Sequence, residues 1–222
     1  MRAYDLPAIE KKFADTLTDS YGKKFKVVPG VIPKTFAIRP AKETYYYKEV
    51  LKKDQIVLHH TAGVLPGDIG TLTQPDNHVS TAYVVARNGT VYELFNPGYW
   101  AYHLGPNATG GNKERSSKTI AIEISNLGQL HEKAEKPGVL FDAYEREYCL
   151  KSDTQYYVER PFHGYKFYAT YTEEQHKAVD SLLLNLCRKF NIQHTFLPAE
   201  QLFEHCIKLP KVGIVSHVNY RK

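Results

Sequence analysis

The stretch Ile56-Val57-Leu58-His59-His60-Thr61-Ala62 joins three consecutive apolar residues to two histidines. A short apolar run bounded by polar residues is typical of a buried β-strand. Residues 212–217, Val-Gly-Ile-Val-Ser-His, show the same arrangement, and this run also ends on a histidine, His217. Functional side chains often lie at such strand ends. His59 and His217 are therefore the first candidates for functional residues.

A third strand is predicted at residues 119–124, Thr-Ile-Ala-Ile-Glu-Ile. The run is almost continuously apolar, which is typical of a central strand, yet it carries one carboxylate, Glu123. A lone buried carboxylate costs several kcal/mol unless it is compensated. A nearby metal ion would compensate Glu123, and a structural ion pair is the alternative.

The remaining pattern indicates an α/β fold. Asn88-Gly89 between the β-rich runs 83–86 and 90–94 predicts a hairpin. Helices are predicted from Asp5 to just before Tyr21 and at residues 172–190, where Thr-Glu-Glu-Gln forms a capping box ahead of an apolar face. Strands interleaved with helices predict a central sheet flanked by helices, and the hairpin makes that sheet mixed.

The chain divides into two predicted parts. Residues 1–50 contain a helix and three X-Pro breaks, and they predict an accessory helix followed by an extended arm. Residues 51–222 predict one domain. Within it, the polar and Tyr-rich residues 128–170 predict a long insertion between core elements.

The composition limits the classes of function. The 222 residues are 42% hydrophobic and 24% charged, as in an ordinary globular chain. The net charge of +5 favours an acidic partner such as nucleic acid, an anionic cell wall or a membrane surface. No recognised nucleic-acid motif supports the first of these partners. No apolar run is long enough for a membrane span, and the three widely spaced cysteines predict neither a zinc ribbon nor a disulfide scaffold.

Five segments together resemble a known family. They are the two histidine strands, the Glu123 strand, the hairpin, and residues 99–105, Tyr-Trp-Ala-Tyr-His-Leu-Gly. In their order and spacing, from about Ile56 to Lys222, these segments resemble the zinc-dependent N-acetylmuramoyl-L-alanine amidases. That family shares its catalytic domain with T7-type phage lysozymes and peptidoglycan recognition proteins. Residues 51–222 are thus expected to form an amidase-like catalytic domain.

The resemblance implies roles for individual residues. His59 and His217 would bind Zn²⁺, and Glu123 would act as general base on the metal-bound water. Lys222 matches a basic residue that steadies the tetrahedral oxyanion in some members. The implied reaction is hydrolysis of the amide between the lactyl group of N-acetylmuramic acid and the L-alanine of the stem peptide.

Three further residues are candidates for substrate contact. His103 and Trp100 of the fifth segment would line the cleft, with packing as the alternative for both. His60 would either contact the substrate or support the site by hydrogen bonding, since the metal ligand of the family matches the first histidine of the pair.

The sequence departs from the family pattern at two places. The family's third ligand, an Asp or Cys, lies about two residues beyond the position of Lys222, where this sequence stops. We expect that the natural chain continues, that a residue elsewhere completes the site, or that the site is incomplete. Many members also have a histidine after the serine-containing turn, where this chain has Ser80-Thr81-Ala82-Tyr83.

Two functions therefore compete. The first is a monomeric hydrolase acting on peptidoglycan or muropeptides. The second is a non-catalytic peptidoglycan-binding module of the same fold, which loss of the third ligand would favour. The first residues contain no signal-peptide hydrophobic region. We therefore expect cytoplasmic synthesis, followed by action on the cell wall as a lysin or after non-classical export, or muropeptide recycling in the cytoplasm.

Overall fold

The fold is mixed α/β, with two β-sheets and four α-helices in the described part of the chain. The computed structural model describes residues 5–21, 35–38, 42–202 and 211–221. The helices are α1 (Leu6–Tyr21), α2 (Leu65–Leu72), α3 (Asn112–Lys118) and α4 (Glu173–Phe190). None of these helices is long and apolar enough to cross a membrane.

The first sheet contains every strand predicted from the sequence. Its members are β1 (Thr35–Ala37), β2 (Gln55–His60), β3 (Tyr83–Val85), β4 (Val91–Glu93), β5 (Thr119–Ile124) and β11 (Ile214–Ser216), in the order β1-β4-β3-β5-β2-β11. Strands β3, β5, β2 and β11 are parallel, and β3 pairs with β4 as an antiparallel hairpin. The central mixed sheet is therefore confirmed, and β1 adds an edge strand from the region predicted as an arm.

Helix α4 covers one face of this sheet. The Thr172 hydroxyl accepts a hydrogen bond from the Gln175 backbone N–H, and the Thr172 N–H donates to the Gln175 side chain, so the predicted capping box is present. The helix ends at Asn191, whose left-handed conformation (φ 53°) stops the repeat. Its buried face, including Leu182 and Leu186, joins the main core of the protein. Burying each of these leucines contributes about 1.5–3 kcal/mol.

Residues 129–169 build a second sheet of their own. Its strands are β6 (Gln129–Lys133), β7 (Lys136–Phe141), β8 (Glu147–Leu150), β9 (Tyr157–Phe162) and β10 (Tyr165–Ala169), in the order β8-β7-β6-β10-β9, all antiparallel. Leu130, Leu140 and Phe167 form a separate core under it. The sequence predicts an insertion at residues 128–170, but none of these strands is predicted from it.

Helix α1 contacts both sheets. Leu6, at its start, is buried in the core of the second sheet. One turn later, both carboxylate oxygens of Glu10 accept the backbone N–H of Arg87, in the turn of the β3–β4 hairpin, at 3.0 and 3.2 Å. The predicted amphipathic helix is thus a connector between the two sheets.

Candidate functional site

Three candidate residues align across neighbouring strands of the first sheet. His59 of β2 is the register partner of Glu123 of β5. His217 directly follows β11, whose last residue Ser216 pairs with Leu58 of β2. The rings of His59 and His217 are 4.6 Å apart between centroids. Since neighbouring strands lie about 4.8 Å apart, parallel pairing brings residues from three distant parts of the chain into one row. We call His217, His59 and Glu123 the strand-end row.

A chain of hydrogen bonds fixes the tautomer of His59. The Thr119 hydroxyl donates to the Arg115 carbonyl at 2.9 Å, so it must accept from Nε2–H of His103, 2.8 Å away. Burial lowers the pKa of His103 to about 3, so its ring is neutral and Nδ1 is an acceptor. The Nε2 of His59, 3.1 Å from that Nδ1, is therefore a donor.

Both histidines of the row consequently keep an unprotonated Nδ1. Burial, followed by the proximity of His217 and His103, lowers the pKa of His59 well below its usual value, so the ring carries its single proton on Nε2. The Nε2 of His217 donates to the Leu104 carbonyl at 3.1 Å, and burial lowers the pKa of His217 as well. Metal-binding histidines are typically arranged in this way, with one nitrogen held by a protein acceptor and the other left for the ion.

Glu123 is a half-buried residue whose carboxyl group has an incomplete set of partners. Its Oε2 is buried and has no hydrogen-bond partner. Burial first, and the nearby Asp68 second, raise the pKa of Glu123 to about 8. The group is therefore poised to hold a proton near neutral pH, and a positive charge at the histidines would favour its carboxylate form.

Glu123 also lines a cavity of about 970 Å³. The walls come from α1, from α2 with the loop before it, and from the turn between β7 and β8. Neither histidine of the strand-end row lines this cavity. Glu123 is thus the residue that the row and the cavity share.

A second acid lies beside Glu123 in the cavity wall. The Ser125 hydroxyl donates to Asp68 at 3.0 Å, and burial raises the pKa of Asp68 while Thr61 and Ser125 lower it in part. Asp68 packs closely against Gly63, where a Cβ would lie only 2.2 Å from the Asp68 Oδ1. The absence of a side chain at Gly63 therefore leaves the space that the Asp68 carboxyl group occupies in the cavity wall.

The other predicted site residues lie in different surroundings. Trp100 is 3% exposed, stacks on Tyr47 with 4.2 Å between ring centroids, and donates to Glu49 at 3.1 Å, which favours the packing alternative. His60 follows His59 on β2 and points to the opposite face of the sheet, as alternation requires. Lys222 lies outside the described residues. Substrate contact by Trp100, His60 and His103 stays a prediction.

The two imidazoles of the strand-end row fit the ligand chemistry of zinc. Two neutral histidines with unprotonated Nδ1 atoms, beside a buried carboxylate oxygen without a partner, match the ligand chemistry of Zn²⁺. Within the described residues, no group of three or more His, Cys, Asp and Glu side chains is placed to hold a metal ion. His59 and His217 are therefore the two residues that could hold a zinc ion, and among the described residues no other His, Cys, Asp or Glu joins them in a group of three.

In this α/β fold, two histidines and a glutamate thus meet at the ends of neighbouring parallel strands. The family model for N-acetylmuramoyl-L-alanine amidases matches residues 49–221. The chain belongs to this family, whose members are typically zinc-dependent. A comparison with curated proteins gave no match.

Several solved structures are similar to the chain. The amidase LysCS from Clostridium intestinale URNW is 14% identical, with 87% of each chain covered and a TM-score of 0.48. The amidase AmiD from E. coli, solved with anhydro-N-acetylmuramic acid-L-Ala-D-γ-Glu-L-Lys, is 21% identical, with a TM-score of 0.44. The match covers 66% of this chain and 47% of AmiD, so this chain spans about half the length of that relative.

Two residues of the cavity wall, Asp68 and Arg146, are not predicted as functional from the sequence. Asp68 lies in the first turn of α2, where Pro66 and Gly67 suggest a loop. Proline at the start of a helix and an acid in its first turn were the available signals. No local signal connects the β7–β8 turn with Glu123, because the two meet only in the folded chain.

Proposed function

We propose that this chain is a zinc-dependent N-acetylmuramoyl-L-alanine amidase that hydrolyses the amide between N-acetylmuramic acid and the L-alanine of the stem peptide. The observation that carries the proposal is the strand-end row, in which two histidines with unprotonated Nδ1 atoms lie beside Glu123. Membership of the amidase family supports this choice of reaction. The catalytic domain would be residues 51–222, with 128–170 as an insertion and 1–50 as an accessory region.

In this mechanism His59 and His217 would hold the zinc ion. When bound, zinc supplies an activated water and polarises the scissile carbonyl. Glu123 takes a proton from the attacking water and then gives it to the leaving amine of L-alanine. Its raised pKa suits the second of these steps, because a carboxyl group near neutral pKa can donate as well as accept. Lys222 would stabilise the oxyanion.

The proposed substrates are peptidoglycan or muropeptides. The ligand named for AmiD contains the bond in question, between the muramic acid and L-Ala. The cavity beside Glu123, at about 970 Å³, is large enough for several residues of a stem peptide. A soluble muropeptide is therefore the first substrate to test, followed by intact cell walls.

The test is metal content together with hydrolysis. We expect about one zinc per chain after dialysis without chelator, and release of the stem peptide from a muropeptide. His59→Ala should lose both. His194→Ala, a histidine outside the row, is the matched control and should lose neither. Hydrolysis that persists in His59→Ala would exclude the proposed mechanism.

A non-catalytic peptidoglycan-binding module is the second candidate. It is favoured by the finding that no three potential ligands are grouped among the described residues. Binding of muropeptide without zinc and without hydrolysis would establish this alternative. A chain that binds zinc but hydrolyses only in the presence of residues beyond Lys222 would instead support the amidase and place the third ligand there.

A further inference from the structure

The turn between β7 and β8 brings two side chains of the second sheet to the cavity of Glu123. Tyr144 and Arg146 line this cavity together with Glu123 and Asp68. Tyr144 is 65% exposed, so its ring is accessible to a ligand. Arg146 is the only basic residue among the described residues that line the cavity. The second sheet therefore contributes the positively charged side chain of the cavity wall, and no other described lining residue is basic.

Arg146 is oriented before any ligand arrives. Its Nε and Nη2 donate to the carboxylate of Asp142, at 2.8 and 2.7 Å, and that carboxylate is fully buried. The same carboxylate accepts the backbone N–H groups of Tyr144 and Arg146, at 2.9 and 3.0 Å, which fixes the turn. The guanidinium lies 5.0 Å from the centre of the Tyr144 ring. The Arg146 side chain is nevertheless 42% exposed. A guanidinium whose orientation is already fixed loses little freedom on binding an anion.

The electrostatics of the cavity favour an anionic group near this turn. The positive charge of Arg146 acts across the cavity, because it is one of the groups that lower the pKa of Asp68. An incoming carboxylate would thus meet a cation whose orientation is already fixed by Asp142.

We propose that Arg146 binds a free carboxylate of the stem peptide, with Tyr144 covering the same part of the peptide, so that the second sheet selects the peptide chemistry. The inference rests on the proposed function. A γ-linked D-Glu, as in the ligand named for AmiD, forms its peptide bond through the side chain and leaves its α-carboxylate free. A carboxylate on the third residue of the stem has the same chemistry, and the experiment separates the two sources.

The experiment uses four muropeptides that differ only in carboxylates. They carry the α-carboxylate of D-Glu as acid or amide, each combined with a third residue that ends in a carboxylate or an amide. We expect the full chain to bind the acid form at one of these positions about 10-fold more tightly than the amide, as for a charged hydrogen bond. Calorimetry gives Kd, and hydrolysis gives kcat and KM separately.

Arg146→Gln should remove this preference. Its Kd and KM for the acid substrate should rise about 10-fold, while the values for the amide and kcat should stay near those of the original chain. Because Arg146→Gln leaves the buried Asp142 without its ion pair, the double variant Asp142→Asn with Arg146→Gln keeps the turn neutral and should behave in the same way. Arg160→Gln, on exposed β9, is the matched control and should keep the preference.

The outcomes separate this inference from the proposed function. If both Arg146 variants bind and hydrolyse the acid and the amide substrates equally worse than the original chain, then Arg146 has a structural role only. That result would overturn the inference. An acid preference that survives in both variants would also overturn it. If no muropeptide is hydrolysed but the acid form still binds more tightly through Arg146, then the amidase proposal fails while the carboxylate site stands.

Discussion

The two sheets of this protein differ in how deeply their strands are buried. In the first sheet, Ile120 and Ile122 of β5 are almost completely buried, and so is Ala121 between them, so both faces of this strand are covered. In the second sheet, β9 is largely exposed, with Val158 at 50%. A strand covered on both faces holds its register rigidly, because a slip by one residue would exchange every side chain between faces. The strand-end row occurs in the rigid sheet.

This difference suggests a division of tasks. The first sheet places His217, His59 and Glu123 by parallel register, which leaves little freedom for change. The second sheet contributes a turn, with Tyr144 and Arg146, to the wall of the cavity. A turn at the end of an antiparallel hairpin can change its side chains without moving the row. We therefore expect changes in the first sheet to affect the reaction, and changes in the second to affect specificity or local stability.

The largest effect is expected for Glu123→Gln. The amide can neither take a proton from water nor give one to the leaving amine, so kcat should fall by a factor of about 10²–10⁴. Because one carboxylate oxygen of Glu123 is buried without a partner, the neutral amide should leave the thermal midpoint equal or higher. Steady-state kinetics and a melting curve measure both quantities.

Glu159→Gln is the matched control for this prediction. Glu159 is exposed on β9 of the second sheet, so the same chemical change should alter neither kcat nor the melting curve. If Glu123→Gln is as active as the original chain, Glu123 is not the general base. The proposal that the first sheet carries the reaction would then fail as well.

The next effect concerns the stability of the second sheet. Leu140 is fully buried in the separate core under this sheet. Leu140→Ala should therefore lower the free energy of unfolding by about 2–5 kcal/mol. Zinc content should not change, because no residue of that core belongs to the strand-end row. Urea unfolding and metal analysis after dialysis give the two values.

Leu182→Ala, in the core between α4 and the first sheet, gives the comparison. It should cost a similar free energy, and its zinc affinity should fall, since α4 supports the strands that carry the row. If Leu140→Ala loses zinc to the same extent, the two sheets do not have separate tasks.

Most strands of the first sheet were predicted from the sequence, and those of the second sheet were not. Strands β2, β5 and β11, the β3–β4 hairpin and helix α4 were predicted, because apolar runs, Asn-Gly and a capping box are local signals. Their order in the sheet and the strand-end row depend on pairing between distant segments, and only the family resemblance pointed to them. The second sheet was missed because its strands are half-exposed and carry tyrosines on both faces. The tautomer of His59 depends on Thr119 and Arg115, which no motif contains.

A smaller effect is expected at Glu10, where α1 connects the two sheets. Burial raises the pKa of Glu10 to about 7, although its hydrogen bond from Arg87 N–H opposes this shift. An acid with a raised pKa is stabilising when protonated. The free energy of unfolding should therefore be highest below the unfolded pKa of 4.5, fall as the pH rises to 7, and change little from this group above 7.

Glu10→Gln should remove that part of the pH dependence, which amounts to at most about 3 kcal/mol. Urea unfolding of both chains between pH 4.5 and 8 measures it. Glu174→Gln, an exposed change at the start of α4, should leave the pH dependence as it is. Identical pH profiles for Glu10→Gln and the original chain would mean that α1 does not bury this carboxyl group.

The smallest effect is expected at His103, which would act on a bound zinc ion through His59. His103 accepts Nε2–H of His59 and so leaves the Nδ1 of His59 unprotonated. His103→Ala removes this acceptor, and zinc affinity should fall about 10–100-fold, as for other partners of metal-binding histidines. His103→Gln, whose side-chain carbonyl can accept the same proton, should recover part of the loss, whereas His176→Ala, an exposed histidine of α4, should have no effect. Competition with a chelator gives the dissociation constants. If His103→Ala binds zinc as tightly as the original chain, then His59 does not depend on His103 for its tautomer, and the role of His103 lies in substrate contact or in packing.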